Sequence, residues 1–473
     1  MTATAQPVAT PRPGTVASSA RGLLAILLTG QFMAILDTSI VNIAAPSVRD
    51  DLGASGAALQ LIVAGYTIAY AVLLITGARV GARWGHRRMY LLGLAGFTLA
   101  SLACGLAADT GQLIAFRFLQ GAGAALMIPQ VLSLIQRAFD PTGRARALSL
   151  YAAVLAGGSV FGQVAGGVLV SADLFGTGWR PVFLVNVPIG VALLLAGRRW
   201  LPVDPGDPDR RLDLPGLLVL SPTVLAFIVP LVLGHEQGWP AWGWISLAAS
   251  AIGLLAFLSV ERRVPAPLIP ARVLRVRTVA LSVVVLFGSF TVYGGWMFAL
   301  AVYVQNGLGY DPLHTGLMFF PGAVGFATAS LSWRRLPEGW HRGLIPAGLA
   351  VATMSMALLA LVAGSGSLRG PHPLALSAVF CLHGLGMGAA FSPVMSVAVS
   401  QVAPADAANA SGLLTTVLQL SQAIGVATFG SLYLSLFATS PASFSMTGTA
   451  IAFLVVDLVT TGFAVLLAYP RSA

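Results

Sequence analysis

The feature that most constrains this chain is a succession of apolar runs, each near the roughly 20 residues needed to cross a hydrocarbon core. About fourteen can be marked. The first six run over 22–44, 57–76, 89–107, 112–136, 145–170 and 181–196. Two follow at 214–233 and 242–260, and the last six lie at 279–304, 315–332, 344–362, 374–398, 407–437 and 448–468. Only 9% of the 473 residues are charged against 57% hydrophobic, with a mean hydropathy of +0.85. A water-soluble fold of this size would lack a polar surface, so the solvent of this chain is the lipid bilayer.

The net charge of +10 invites a nucleic-acid reading, which fails on placement. All 26 basic residues are Arg, and they sit mainly in short loops. With the N-terminus placed in the cytoplasm, 22 of the 26 fall on the cytoplasmic side. Arg49, Arg180 and Arg369 fall opposite, and Arg117 lies inside a span. This asymmetry supports both the span assignment and cytoplasmic termini. Cys104 and Cys381 lie in apolar runs without a Cys/His cluster, as small buried hydrophobes rather than a disulfide or metal pair.

The organisation expected is a disordered cytoplasmic tail over 1–20, six spans over 21–200, a linker with two extra spans over 201–277, and six spans over 278–473. The fold class is an all-α polytopic membrane protein of two six-helix bundles with an added central pair.

Charged groups at membrane depth are costly and are functional candidates by default. Asp37, Arg117 and Asp457 are such groups, joined by the titratable His383. A carboxyl there can load and release protons, and an always-charged guanidinium can tune it. Structural pairing and backbone hydrogen bonding are the plainer readings of the same residues. Polar amides within spans, Gln31, Asn42, Gln120, Gln163, Gln305, Gln419 and Gln422, are candidates to line a cavity or to join helices. Trp296 lies in a span with Tyr293, Phe298 and Tyr303, where it can stack on an aromatic or cationic ligand. Gly158, Gly162 and Gly166 recur every fourth residue beside Gly167, which allows close helix approach.

Several stretches, taken in order, resemble the major facilitator superfamily, and within it the bacterial fourteen-span drug:proton antiporters. They are Leu36-Asp37-Thr38-Ser39-Ile40-Val41-Asn42, the run from Arg117 through Gln120 and Gly121 to Gly123, the run from Trp179 to Pro188, and the run from Glu261 to Leu268. The resemblance covers nearly the whole chain after the tail. It implies multidrug or antibiotic efflux from a bacterial plasma membrane, with the run from Arg117 to Gly123 taking part in proton transfer; Asp37, Asp457 and His383 are proton-coupling candidates from their charge or titratable ring within spans. The loop bearing Gly81, Arg83, Gly85, Arg87 and Arg88 resembles the superfamily's gating motif. Two departures stand out. Ala82 occupies a place where the motif carries Asp, and Gln163 follows Gly162 where the antiporter motif carries Pro.

The expected activity is export of small amphiphilic or cationic molecules in exchange for protons by a monomer. No enzyme chemistry, cofactor or nucleic-acid partner is expected. No Gly-x-x-x-x-Gly-Lys phosphate loop is present in the sequence. The alternatives are a narrow-substrate transporter of a metabolite, amino acid or lipid-like compound, and a non-transporting scaffold or sensor.

Overall fold

The computed structural model describes residues 13–208, 214–234, 237–264, 267, 271–364, 373–400, 402 and 407–469. Among them the chain is helical, with no strand. The first long helices are α1 (Pro13–Leu52), α2 (Gly56–Trp84), α3 (His86–Gly105), α4 (Thr110–Ala138), α5 (Pro141–Ser171) and α6 (Pro181–Trp200). Then come α7 (Leu214–Leu233), α8 (Ala241–Glu261), α9 (Arg277–Gly307), α10 (Pro312–Ser332), α11 (His341–Gly364), α12 (Pro373–Ser400), α13 (Ala407–Thr439) and α14 (Ala442–Ala468). Thirteen of these contain a stretch long and apolar enough to cross a membrane, and α5 carries a shorter apolar stretch at Phe161–Ser171. The disordered tail expected over 1–20 falls partly outside the described residues. Its final part, from Pro13, is helix instead and continues α1.

Local chemistry sets the helix starts. Ser55, Asp109, Asp140 and Asp311 each accept a hydrogen bond from a backbone N–H in the first turn they precede. Each cap satisfies a donor that the helix itself cannot. Helix α6 is broken between Leu184 and Asn186. Pro188 lacks the N–H that would reach back to the Leu184 carbonyl, and its ring crowds that oxygen.

Packing repeats between the halves. In the first half α1 packs on α5 and α6, α4 on α2 and α3, and α3 on α6. In the second half α9 packs on α13 and α14, α12 on α10 and α11, and α11 on α14. Adding eight to each helix number converts one set into the other, as expected for parallel repeats about an axis along the membrane normal. The halves meet through α5 with α10 and α2 with α13. Helices α7 and α8 pair with each other, and α7 lies against both α2 and α13. Outward-facing Trp244, Ile252 and Leu255 on α8 are more than half exposed, as suits side chains solvated by lipid.

The apolar cores place the opening. Away from the arginine-rich loops, one core joins both halves, from Ile40, Val48 and Ile62 to Phe298, Tyr303 and Tyr433. At the arginine-rich end the cores are separate. One holds Leu27, Tyr90 and Ile135, the other Leu286, Ile345 and Val394. Among the described residues the apolar core is therefore continuous across the halves at one end and divided at the other.

Candidate functional site

Inside the first bundle, α1, α3, α4 and α6 bring five polar side chains to one buried point. Asp37 and Arg117 are fully buried. Arg117 Nη1 donates to Asp37 Oδ2 at 2.6 Å and to Gln120 Oε1 at 2.7 Å, while its Nε donates to the Ile62 carbonyl at 2.9 Å. Gln120 Nε2 donates to Asp37 Oδ1 at 2.7 Å and to Ser101 Oγ at 2.6 Å. Asn186 Nδ2 donates to the same Asp37 oxygen at 3.0 Å and to Ser101 Oγ at 3.3 Å. The Arg117 guanidinium also lies 4.9 Å from the Tyr66 ring centroid and 5.7 Å from that of Phe183.

Three donors thus converge on one carboxylate in a water-poor setting. Desolvating both charges offsets much of their attraction, so a buried pair of this kind is weak evidence for a stabilising role. Asp37, Arg117 and Gln120 are sequence candidates that the fold brings together. Asn186 and Ser101 were missed as site residues; the run from Trp179 to Pro188 held the only signal for Asn186.

The other candidates lie apart from this network. His383 Nδ1 is 3.1 Å from Ser355 Oγ, and its ring stacks on Trp296 at 4.6 Å. Phe319 and Phe380 close around Trp296 edge-on at 5.6 and 5.3 Å. Gln120 and His383 each lie ten residues after the start of α4 and α12, and each meets a serine on the neighbouring α3 or α11. The second half therefore repeats this one contact, with aromatic rings around it where the first half holds the Asp37–Arg117 pair. Asp457 on α14 is 2% exposed, and neither carboxylate oxygen has a hydrogen-bond partner among the described residues.

The amide candidates divide in the same way. Gln31 and Asn42 are buried on α1, and Asn42 Nδ2 donates to the Thr38 carbonyl at 3.1 Å. Gln163 Nε2 lies 3.7 Å from Met297 Sδ, and Gln305 Nε2 donates to the Ile43 carbonyl at 3.0 Å, so both join the two halves. Gln419 and Gln422 are half-buried on α13.

Glycines make the seams. A Cβ on Gly158, Gly162 or Gly166 would press on Ile35, Leu36, Ser39 or Ile40 of α1. On Gly167 it would lie 2.7 Å from the Pro312 carbonyl of α10. At the arginine-rich end, Gly81 packs on Gln130, while Gly85 has φ +95° and packs against the Asp204 carbonyl. Asp204, in the loop after α6, accepts from the His86 N–H at 2.8 Å and the Arg87 N–H at 3.1 Å, and lies 3.6 Å from Arg137. A carboxylate from a distant loop thus caps α3 beside Ala82, whose motif position lacks one. Arg87 also donates to the Arg198 carbonyl, Arg83 is half-buried, and Arg88 is exposed.

The model of the Major Facilitator Superfamily matches residues 27–426. A probable actinorhodin transporter of Streptomyces coelicolor is 38% identical over 87% of this chain and 72% of its own length. A puromycin resistance protein of Streptomyces alboniger is 37% identical over 93% of this chain and 89% of its own. A cephamycin export protein of Amycolatopsis lactamdurans is 36% identical over 87% and 84%. Among solved structures, a peptide transporter bound to sulfate superposes with TM-score 0.69 at 18% identity, covering 97% of this chain and 99% of that one. A bacterial homologue of the lysosomal transporter Spinster, inward-facing and unoccupied, gives 0.67 at 17%, covering 97% and 98%.

Proposed function

This chain belongs to the Major Facilitator Superfamily, and on that premise we propose that it exports small amphiphilic or cationic molecules, of the natural-product antibiotic kind, in exchange for protons. The observation that carries the reading is the buried Asp37–Arg117 pair, a costly charge placement inside a transport bundle. Relatives named for export of, or resistance to, single antibiotics support the substrate class.

The mechanism is alternating access. With the cavity open outward, Asp37 takes up a proton and its donors loosen. Reorientation opens the arginine-rich end, where proton release to the water on that side and substrate binding compete. In this reading that end faces the cytoplasm of a bacterial inner membrane and both termini lie there. The parted cores then correspond to an inward-open state. One proton entering down 100 mV supplies about 2.3 kcal/mol, enough for roughly fifty-fold accumulation of a neutral substrate outside. Arg117 keeps its charge throughout and sets how readily Asp37 gives up its proton. Asp457 and His383 are further proton-carrier candidates, and Trp296 with its ring neighbours is a candidate substrate contact. The working unit is a monomer without cofactor or nucleic-acid partner.

The test is proton movement in energised inverted vesicles on adding cationic dyes and natural-product antibiotics. Proton release with some compounds, absent in Asp37→Asn, is the expected result. A second reading, a dedicated exporter of one compound, is supported by relatives whose names each give a single compound. It expects a response to one chemical class alone. Retained proton release in Asp37→Asn would remove Asp37 from the mechanism.

A further inference from the structure

Asn186 stands where the protonation state of Asp37 can be read. It is the first residue of the second segment of α6, just past the break that Pro188 imposes. Its amide nitrogen donates to both Asp37 Oδ1 and Ser101 Oγ. Its amide oxygen is buried with no partner among the described residues. A buried polar atom left unpaired in an otherwise bonded cluster calls for an explanation.

The asymmetry of the amide supplies one. Asp37 receives donors on both oxygens, the arrangement of an ionised carboxylate. Once Oδ1 carries a proton it becomes a donor and no longer suits the Asn186 NH2. Rotating the amide by half a turn puts Oδ1 of Asn186 in that place. There it can accept from the Asp37 hydroxyl and from the Ser101 hydroxyl. The unpaired atom passes from the amide oxygen to the NH2, so both arrangements hold the same number of bonds. Two balanced arrangements selected by one proton make a switch.

We propose that Asn186 is a positioning residue whose amide inverts when Asp37 gains or loses its proton, passing that change to the broken helix α6. This rests on the reading of Asp37 as the proton carrier. The other groups facing Asp37 do not provide the same response. Gln120 on α4 donates to the same oxygen, but its own amide oxygen accepts from Arg117 Nη1 at 2.7 Å, which holds that amide against inversion. Arg117 on α4 is always charged, Tyr66 on α2 has its hydroxyl donated to the Ala34 carbonyl at 3.3 Å, and the Cys104 thiol on α3 faces Gln120 at 3.8 Å. Helix α5 presents glycines to α1, and α9 and α2, on its remaining sides, hold no further ionisable partner of Asp37 among the contacts described.

The experiment is acid-minus-alkaline infrared difference spectroscopy on the full chain in liposomes, with ¹³C in asparagine side-chain amides only. The sequence holds just Asn42, Asn186, Asn306 and Asn409, so the labelled background is small. The expected result is a labelled amide band that titrates together with a carboxylic-acid band. Asp37→Leu removes both bands. Asn186→Leu removes the amide band alone, and so does Asn186→Gln, which keeps an amide but carries no label. An Asp37 acid band that titrates with no labelled amide movement overturns the switch and leaves the proton-carrier reading intact. An amide band that survives Asn186→Gln also overturns it. A spectrum with no acid band removed by Asp37→Leu overturns the proton-carrier reading and the switch with it.

Discussion

Arg117 and Asp37 stand eighty residues apart in the chain and meet at 2.6 Å with neither side chain reaching solvent. Removing one partner of such a pair strands the other charge. Arg117→Leu is expected to destabilise the protein by about 3–5 kcal/mol. Arg117→Lys restores the charge without the second donor direction that reaches the Ile62 carbonyl, so it regains only part of the loss. Thermal unfolding in detergent of the two variants beside the native chain checks the order. Equal stability of all three would show that the pair is not holding the bundle.

How much of this was legible beforehand depends on distance along the chain. The spans were legible because crossing lipid demands long apolar runs. Arg117 and Gln120 were legible as one unit because they lie one helical turn apart. Asn186 was not, since it meets Asp37 across 149 residues, and nothing local in α6 says which helix it will face. Asp204 was hidden for the same reason, capping α3 across 118 residues from a loop that reads as a plain linker. For Gln305 the sequence left open lining a cavity or joining helices, and its bond to the Ile43 carbonyl ties the two halves together.

The seal between the halves depends on Gly316 as well as Gly167. A Cβ on Gly316 would stand 2.6 Å from the Gln163 carbonyl. Gly316→Val should penalise only the sealed arrangement. An overpacking cost of about 2 kcal/mol would move the balance between conformations roughly thirty-fold. Labelling of Tyr303→Cys, buried at the sealed end, by an impermeant thiol reagent is expected to rise sharply in that background. Unchanged labelling would mean that α5 and α10 can separate elsewhere.

The cap on α3 gives a graded test. Asp204→Ala removes the acceptor for two backbone N–H groups and is expected to cost about 0.5–2 kcal/mol. Asp204→Asn keeps one acceptor oxygen and should recover much of that. The ion pair to Arg137 adds little, because that arginine is largely exposed. Hydrogen exchange at the first amides of α3 reads the effect where it arises. Equal protection in all three proteins would remove the cap as the reason for Asp204.

Asp311 caps α10 at the sealed end, and its carboxyl is held below the ordinary range, first by the His314 backbone N–H and further by the His314 side chain. A folded value lower than the unfolded one means the cap is worth its full amount above the ordinary carboxylate range. That contribution is lost as pH falls through the lowered folded value. Protection of the His314 amide should therefore hold from neutral pH downward and fail only in strong acid. Failure already near pH 6 would implicate the histidine ring instead.

Asp457 offers the last and sharpest contrast with Asp37. Its two oxygens are buried and have no partner among the described residues, where those of Asp37 receive three donors. A carboxyl without partners among the described residues is a standing cost at membrane depth, and an amide of the same shape can never ionise there. Asp457→Asn is thus expected to leave stability unchanged or raised, opposite in sign to Arg117→Leu. If Asp457 carries a proton in each cycle, the variant still exports, but with fewer protons per substrate. The reversal potential of substrate-driven proton flux in liposomes measures that ratio directly. A lower ratio assigns Asp457 a proton, and an unchanged ratio confines coupling to the first bundle.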